Sequence, residues 1–336
     1  MFERRMLRGL MLAMGLALVV ALLLPSLALA NKGTPGSGPV GHVTISGNPL
    51  TIHVAVDTSI QVFYAGQSDG QVYPQDEKEA DSGGFAWFDI RPTGIAAAPV
   101  EVWGPDFANH DEYAANLVNP WIHSGVQVTT GTGTAADPWW VRTTVHTPFP
   151  YSVQQRVRYI NGDDCFRVGY TISDLEMGSP ESFTFFHAAD LYVDGEDEGF
   201  GYYDAATGAV GAWNQPRDFL EYMVPVTEMG LPPADHYQEA EYSAIWDRIG
   251  TGPMSPGLGF NDTIRTNFHD SGCGLQWDLA LPGVQPPGNF VELALDWCFL
   301  EVEPPEEFVP EPGSVLLLAS GLMGLAGYAG LRKWKR

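Results

Sequence analysis

Positive charge is scarce in this sequence. Its 336 residues include 17 lysines and arginines against 41 aspartates and glutamates, so that the formal net charge is −24. Seven of the basic residues lie in the first eight or the last five positions, which leaves ten for the rest of the chain. A surface this acidic repels phosphate backbones, and we therefore expect no nucleic-acid partner. The same charge attracts divalent cations and favours solubility outside the cell.

Cysteine is also rare. The three cysteines, Cys165, Cys273 and Cys298, form no Cys-x-x-Cys motif, which argues against a structural zinc site. A disulfide between Cys273 and Cys298 is one alternative, because both flank the last long loop. Strand alternation opposes it, since Cys273 shares a face with Trp277 whereas Cys298 lies opposite Trp297. The pattern favours three buried thiols, although a bulge could restore the pair, and the pairing stays open.

Long helical periodicity is missing, as is a histidine pair of the His-Glu-x-x-His type. Short alternating runs occur instead, bounded by glycine, proline, asparagine and aspartate, at residues 59–64, 140–145, 152–159 and 166–172. These runs predict about a dozen strands in an all-β fold, a single large β-sandwich or supersandwich. Helical pieces are expected only at residues 111–117 and 239–249.

The first 30 residues are typical of a secretory signal peptide. Three arginines precede an apolar stretch at residues 10–24, and a small-x-small triplet follows it. The triplet consists of Ala28, Leu29 and Ala30, and cleavage after it by signal peptidase would place the mature start at Asn31. The alternative is an uncleaved membrane anchor.

A proline- and glutamate-rich stretch at residues 303–312 predicts an extended stalk. It ends in the residues Val309, Pro310, Glu311 and Pro312. An apolar run at residues 314–331 follows, and a helix of that length, at ~1.5 Å per residue, spans about one hydrocarbon core. The positive-inside rule places the next residues in the cytoplasm, namely Arg332, Lys333, Lys335 and Arg336.

This order of motif, single span and basic tail resembles the PEP-CTERM sorting signal of Gram-negative bacteria. The resemblance implies that an exosortase cuts near Pro-Glu-Pro after transient insertion into the inner membrane. The body would then reach the cell envelope, the outer surface or the extracellular matrix. An ordinary C-terminal anchor is the alternative. The chain thus divides into a signal peptide (1–30), a β-sandwich domain (31–302), a stalk (303–312) and a transmembrane sorting helix with its tail (313–336).

A second resemblance covers roughly residues 125–300. The segments 130–138, 161–164, 187–201 and 274–277 follow one another as in a group of uncharacterised secreted bacterial proteins. Those proteins have a β-sandwich similar to the galactose-mutarotase-like supersandwich. The resemblance implies a fold that often handles carbohydrate, and it supplies no catalytic residues.

Five carboxylates crowd into nine residues and form a candidate metal site: Asp190, Asp194, Glu196, Asp197 and Glu198. A hard cation with six to eight oxygen ligands would relieve their repulsion, and outside the cell calcium is the natural cofactor. The glycines among them allow tight turns. The spacing does not match an EF-hand loop, and a solvated acidic turn is the alternative.

Adjacent aromatic residues form a candidate carbohydrate site. Trp139 and Trp140 lie in one predicted strand, so that one of the two rings must face outward and could stack on a sugar. An edge aromatic covered by a loop is the alternative. No single histidine is expected to be catalytic.

These features favour a structural or adhesive, non-enzymatic envelope protein associated with extracellular polysaccharide. The alternative is a carbohydrate-active enzyme, such as a lyase, an epimerase or a glycosidase. Dispersal of the ten basic residues over the body, with no arginine in a pocket, would count against an enzyme that acts on acidic sugars.

Overall fold

Alternating sequence patterns become strands throughout the body of the protein. We analysed a computed structural model that describes residues 41–78, 80–88, 101–106, 118–147, 150–175, 181–250, 257–284 and 288–302. These residues contain eighteen strands, more than the dozen that the sequence predicts. They confirm the all-β class.

The strands are numbered in chain order. They are β1 (His42–Ser46), β2 (Leu50–Ala55), β3 (Ile60–Tyr64), β4 (Ser82–Phe88), β5 (Glu101–Gly104), β6 (Val118–Pro120), β7 (Ile122–Thr130), β8 (Trp139–His146), β9 (Tyr151–Tyr159), β10 (Cys165–Asp174), β11 (Glu181–Asp190), β12 (Glu198–Asp204), β13 (Ala209–Trp213), β14 (Phe219–Pro225), β15 (His236–Glu241), β16 (Thr263–Ile264), β17 (His269–Leu281) and β18 (Phe290–Glu301).

Two hydrogen-bonded arrangements contain all of these strands. A small sheet has the order β1-β2-β3. A long path has the order β6-β5-β4-β11-β17-β12-β13-β14-β18-β10-β9-β8-β7, with β15 beside β17 and β16 beside β15. The pairs are antiparallel except β5 with β6 and β15 with β16.

The long path folds over at one short joint between β12 and β17. Only Glu198 and Gly199 of β12 pair there, opposite Asp270 and His269 of β17. The strands from β6 to β17, with β15 and β16, form a first layer. The strands from β12 to β7 form a second layer. Aromatic pairs cross from one layer to the other, and among them the rings of Phe88 and Tyr151 stack at 4.3 Å.

The interior between the layers is apolar and aromatic. In β10 the buried positions are Phe166, Val168, Tyr170 and Ile172, which are the alternate residues of the run at residues 166–172 and share one face of the strand. Further large side chains with no more than 2% exposure complete the core, among them Trp277, Trp297, Phe185 and Phe299. Burial at about 25 cal/mol per Å² makes this core the main source of stability.

A single α-helix, α1 (Tyr242–Ile249), covers the opposite face of the first layer. Its buried side chains Ile245, Trp246 and Ile249 pack with Phe85 and Phe186. The helix begins three residues later than the pattern predicts, because residues 239–241 continue strand β15. The other expected helical piece, residues 111–117, lies outside the described residues.

The cysteine expectation was wrong in its preferred form. Cys165 and Cys298 form a disulfide, and Cys273 is a buried thiol. Strand β18 pairs with β10 and β14 rather than with β17, which places Cys165 directly opposite Cys298. The alternation argument against Cys273 with Cys298 holds, but it was applied to two strands that are not neighbours.

Both ends of the chain lie outside the described residues. This covers the signal peptide and its cleavage site, the stalk with Val309 to Pro312, and the sorting helix with its basic tail. Within the described residues, no helix is long and apolar enough to cross a membrane.

Loss of the disulfide should destabilise the protein measurably. A bridge across a separation of 133 residues restricts the unfolded chain strongly, so that we expect Cys165→Ser with Cys298→Ser to cost about 2–4 kcal/mol. Urea unfolding with and without reductant measures this loss. Reductant should destabilise the wild type and Cys273→Ala equally and leave the double variant unchanged. A wild type that is insensitive to reductant would contradict the bridge.

Candidate functional site

The acidic segment forms a tight hairpin turn after β11. Asp194 and Gly195 both have positive φ, 53° and 84°, and the amide of Glu196 donates to the carbonyl of Val193 at 3.1 Å. This is the Asp-Gly arrangement that two-residue hairpin turns favour. The turn leads directly into β12, whose first residue is Glu198.

Three carboxylates from three strand ends converge beside this turn. The candidate ligand atoms of Asp190, Asp197 and Asp270 all lie within 4.8 Å of one another. Asp190 is buried, Asp270 is half-buried and Asp197 is exposed. An open cavity of about 540 Å³ adjoins the cluster and is lined by Glu196, Asp197, Glu198, Gln215, Phe268 and Asp270. Three hard oxygen donors at this spacing can hold a divalent cation, with further ligands from solvent.

The other predicted metal residues, Asp194, Glu196 and Glu198, are not part of this three-carboxylate cluster. The carboxylate of Asp194 accepts hydrogen bonds from Gln67 Nε2 at 2.7 Å and from Asn214 Nδ2 at 3.2 Å. Glu196 Oε2 accepts from the amide of Gln215 at 3.2 Å. Glu198 is exposed and lines the cavity outside the three-carboxylate cluster.

Sequence reasoning missed Asp270. This residue is distant in sequence from the acidic segment, and only the β12–β17 joint places it opposite Glu198. No spacing rule connects the two segments. Only the pairing of β12 with β17 brings Asp270 to the acidic segment, and that pairing cannot be recognised before the strand order is known.

A second polar group is enclosed between the layers. Glu239 is fully buried, its Oε1 accepts from Ser271 Oγ at 2.9 Å, and its Oε2 accepts from the amide of Arg265 at 2.9 Å. His269 Nε2 lies 2.9 Å from the same Oε1. Burial alone would lower the pKa of His269, but the bonds to Glu239 and to the carbonyl of Asn267 outweigh it and raise that pKa.

Glu239 also explains a glycine in β12. A Cβ on Gly201 would lie against the Glu239 carboxylate and the Arg265 carbonyl, closer than atoms can approach. Gly201 therefore provides room for this buried carboxylate rather than a bend in a metal-binding loop.

Glu221 is a buried acid whose pKa is strongly raised. It is fully buried on β14, and Trp297 Nε1 donates to its Oε1 at 3.0 Å. Burial raises the pKa of Glu221 well above its usual value, although the Trp297 bond opposes the shift. Burial, with Glu221 and Glu239 nearby, also raises the pKa of the Cys273 thiol. Burial therefore favours the neutral form of both groups.

His187 belongs to the same interior. Its Nδ1 lies 2.8 Å from the Tyr170 hydroxyl, which accepts from Gln155 Nε2 at 3.1 Å. Burial lowers the pKa of His187 to about 3, so that the ring is neutral and shares one hydrogen bond, through Nδ1, with the Tyr170 hydroxyl. As alternation predicts, His187 and Asp190 face opposite sides of β11: His187 packs at 5.5 Å from Trp297 in the core.

The two adjacent tryptophans separate as predicted, with one ring on each face of β8. Trp139 stacks on Tyr159 at 6.0 Å and packs against the core. Trp140 is 38% exposed on the outer face of the second layer. The guanidinium of Arg158 lies 5.8 Å from the centre of the Trp140 ring. Trp140 is thus the ring that a ligand can reach.

Comparison with known proteins identifies the C-terminal segment. Residues 308–333 match the PEP-CTERM protein-sorting motif, so that the predicted sorting signal is confirmed. This signal implies export to the cell envelope or the extracellular space and processing by an exosortase. No curated protein matches this chain in sequence.

Solved structures are similar to the chain only distantly. A bacterial glucoamylase complexed with acarbose is 10% identical, with 82% of this chain and 35% of that chain covered and a TM-score of 0.43. A putative aldose 1-epimerase from Klebsiella pneumoniae is 10% identical, with 82% of each chain covered and a TM-score of 0.42. An amine oxidase from Aspergillus nidulans is 11% identical, with 83% and 57% covered and a TM-score of 0.43. The chain spans about a third of the glucoamylase.

The buried acid generates a pH prediction. Because the folded-state pKa of Glu221 lies above its unfolded value, its contribution to stability is complete below about pH 4 and decreases as pH rises toward the folded pKa. Glu221→Gln keeps an oxygen that accepts the hydrogen bond from Trp297 Nε1, and it removes the loss of stability with rising pH because glutamine does not ionise. We expect the variant to gain on the wild type by up to about 1.4 kcal/mol per pH unit above pH 5.

Urea unfolding between pH 4 and pH 8 measures this difference. The exposed Glu77→Gln is the control, and its stability should run parallel to that of the wild type. A constant difference between Glu221→Gln and the wild type across this range would show that Glu221 ionises normally.

Proposed function

We propose that the body is a non-enzymatic, carbohydrate-associated protein of the bacterial envelope or extracellular matrix. The sorting signal at residues 308–333 supports its delivery outside the inner membrane. The observation that carries the carbohydrate part is the Trp140 ring, which lies exposed on a broad sheet face. Sugar rings present apolar C–H faces that pack on such aromatic surfaces, and an exposed aromatic on a rigid strand loses little entropy on binding.

The alternative is an enzyme that acts on carbohydrate, and it requires acids or bases that a substrate can touch. Two side chains with a large pKa shift, Glu221 and His187, are fully buried in the core, where a substrate cannot touch them. Burial in the apolar core explains both pKa shifts, so that neither shift requires a catalytic role. The outer face with Trp140 therefore supports binding better than the interior supports catalysis.

We also propose calcium as a structural ion at Asp190, Asp197 and Asp270. The support is their convergence within 4.8 Å at the joint between the two layers. A calcium ion there would offset two of the three negative charges of the carboxylates at the ends of β11, β12 and β17. It would thereby stabilise the joint in a protein of net charge −24.

Calcium should raise the temperature of thermal unfolding. At a hundred times its dissociation constant a ligand stabilises by about 2.7 kcal/mol, which for a chain of this size is a shift of several degrees. We expect Asp270→Asn to abolish the shift between millimolar calcium and chelator. Glu198→Gln removes the same charge next to the cluster and should keep the shift. An unchanged shift in Asp270→Asn, or none in the wild type, would reject the site.

Loss of the exposed ring should weaken binding to polysaccharide. We expect Trp140→Ala to reduce retention on immobilised polysaccharide roughly fivefold or more, because a stacked aromatic contributes about 1 kcal/mol or more. Phe290→Ala is the control, since Phe290 is 42% exposed on the same layer but lies in a distant row beside Ser173. Equal loss in both variants would contradict a role for Trp140.

A further inference from the structure

The few basic residues of the body are not dispersed. Between the two ends the chain has ten lysines and arginines, and four of them lie on one surface. They are Arg142 on β8, Arg156 and Arg158 on β9, and Arg167 on β10. All four occupy the outward positions of their strands, whose alternate residues are buried in the core.

Strand register aligns these arginines into two rows across the sheet. In the first row Trp140 lies opposite Arg158, Arg158 opposite Arg167, and Arg167 opposite Asp296. In the second row Arg142 lies opposite Arg156, and the positions beyond are filled by Gly169 and Ala294. Neighbouring strands are about 4.8 Å apart, so that the charges form a compact patch.

Two of the four arginines are already engaged. Arg167 forms a bidentate pair with Asp296, at 2.7 Å and 2.9 Å. Arg156 donates to Gln154 at 2.9 Å and lies 3.7 Å from Glu292. These pairs hold one side of the patch in a fixed geometry.

In the described part of the chain, the positive charges of the other two arginines, Arg142 and Arg158, are not paired with a carboxylate. Among the described residues, neither Arg142 nor Arg158 forms an ion pair with a carboxylate. Arg142 is exposed, and Arg158 lies over the ring of Trp140. The protein as a whole is acidic, with 41 aspartates and glutamates, whereas this surface carries arginines that pair with no carboxylate of the described strands and loops. Such a local positive charge favours an anionic ligand.

Two small residues lie beside these arginines, and the larger side chains around them outline a shallow trough. Its floor is formed by Gly169 and Ala294, and a Cβ on Gly169 would meet no atom closer than 3.8 Å. One side is the row of Trp140, Arg158 and Arg167. The other side is a polar row opposite it, formed by Gln154, Thr171 and Glu292.

We propose that this face binds a polysaccharide that carries carboxylates, with uronate-type sugars as the ligand class. Trp140 packs on the apolar face of a sugar ring, and Arg142 and Arg158 bind the carboxylates that such a chain presents. Guanidinium groups suit this task because their planar donors match a carboxylate in two hydrogen bonds. The inference rests on the proposed carbohydrate association and adds the charge of the ligand.

Sedimentation of the purified full-length protein with polygalacturonate tests the inference, with dextran as the neutral polysaccharide. We expect the wild type to bind polygalacturonate and to release it as sodium chloride rises from 50 to 500 mM. Arg142→Gln with Arg158→Gln should weaken this binding about tenfold, since each exposed charge pair is worth on the order of threefold in affinity.

Matched controls separate local from overall charge. The variant Lys78→Gln with Arg265→Gln removes two positive charges elsewhere on the protein. It should bind polygalacturonate within about twofold of the wild type, because salt screens the interaction of the ligand with distant charges. Gly169→Val fills the trough without changing any charge, and a β-branched residue suits a strand. We expect that variant to lose binding also, whereas circular dichroism should show each variant folded.

The outcomes distinguish the two proposals. Binding to polygalacturonate that survives the Arg142 and Arg158 changes, or that falls equally in the control, overturns the inference. Binding to dextran alone overturns the inference and leaves the carbohydrate association intact. Binding to neither polysaccharide overturns both.

Discussion

The short joint between β12 and β17 is the constraint on which the architecture depends. Only two residue pairs connect these strands. Glu198 lies opposite Asp270, and Gly199 lies opposite His269. So short a ladder lets the sheet path fold over itself, and the two layers then bury a common core. The same joint assembles the three-carboxylate cluster, because Asp270 is one of its paired residues and Asp197 directly precedes the joint in the chain.

Folding the path over also divides the polar chemistry of the chain. Inward positions hold Glu221, His187 and Cys273, whose pKa shifts keep the neutral form in a low-dielectric interior. Outward positions of β8, β9 and β10 hold Trp140 and the arginines. The surface of the second layer therefore presents aromatic and positively charged groups to a ligand, in addition to the carboxylates that line the open cavity beside the joint.

Local patterns in the sequence predict much of this structure. Alternation alone gives the buried face of β10 and the interior positions of Trp277 and Trp297, because a strand with one face in a core must alternate. The same rule separates Trp139 from Trp140. It also places the arginines of β8, β9 and β10 outward, although their cross-strand rows follow only once these consecutive strands are paired in register.

Long-range pairing is what the sequence could not supply. The Cys165–Cys298 bridge depends on β18 lying beside β10, and the carboxylate cluster depends on Asp270 meeting a segment distant in the chain. Neither neighbour relation leaves a periodic signal within a single segment. A count of carboxylates within the acidic segment therefore could not reveal which of them lie close together, namely Asp190 and Asp197 with the distant Asp270.

The most direct test of the account is where the processed body resides in its own host. The quantity to measure is the fraction retained in the washed extracellular matrix before and after enzymatic removal of the matrix polysaccharide. We expect a body that lacks the basic tail, remains in the matrix and is released when the polysaccharide is digested. A body that stays with the cells after digestion, or that is free in the medium from the start, would contradict association with polysaccharide.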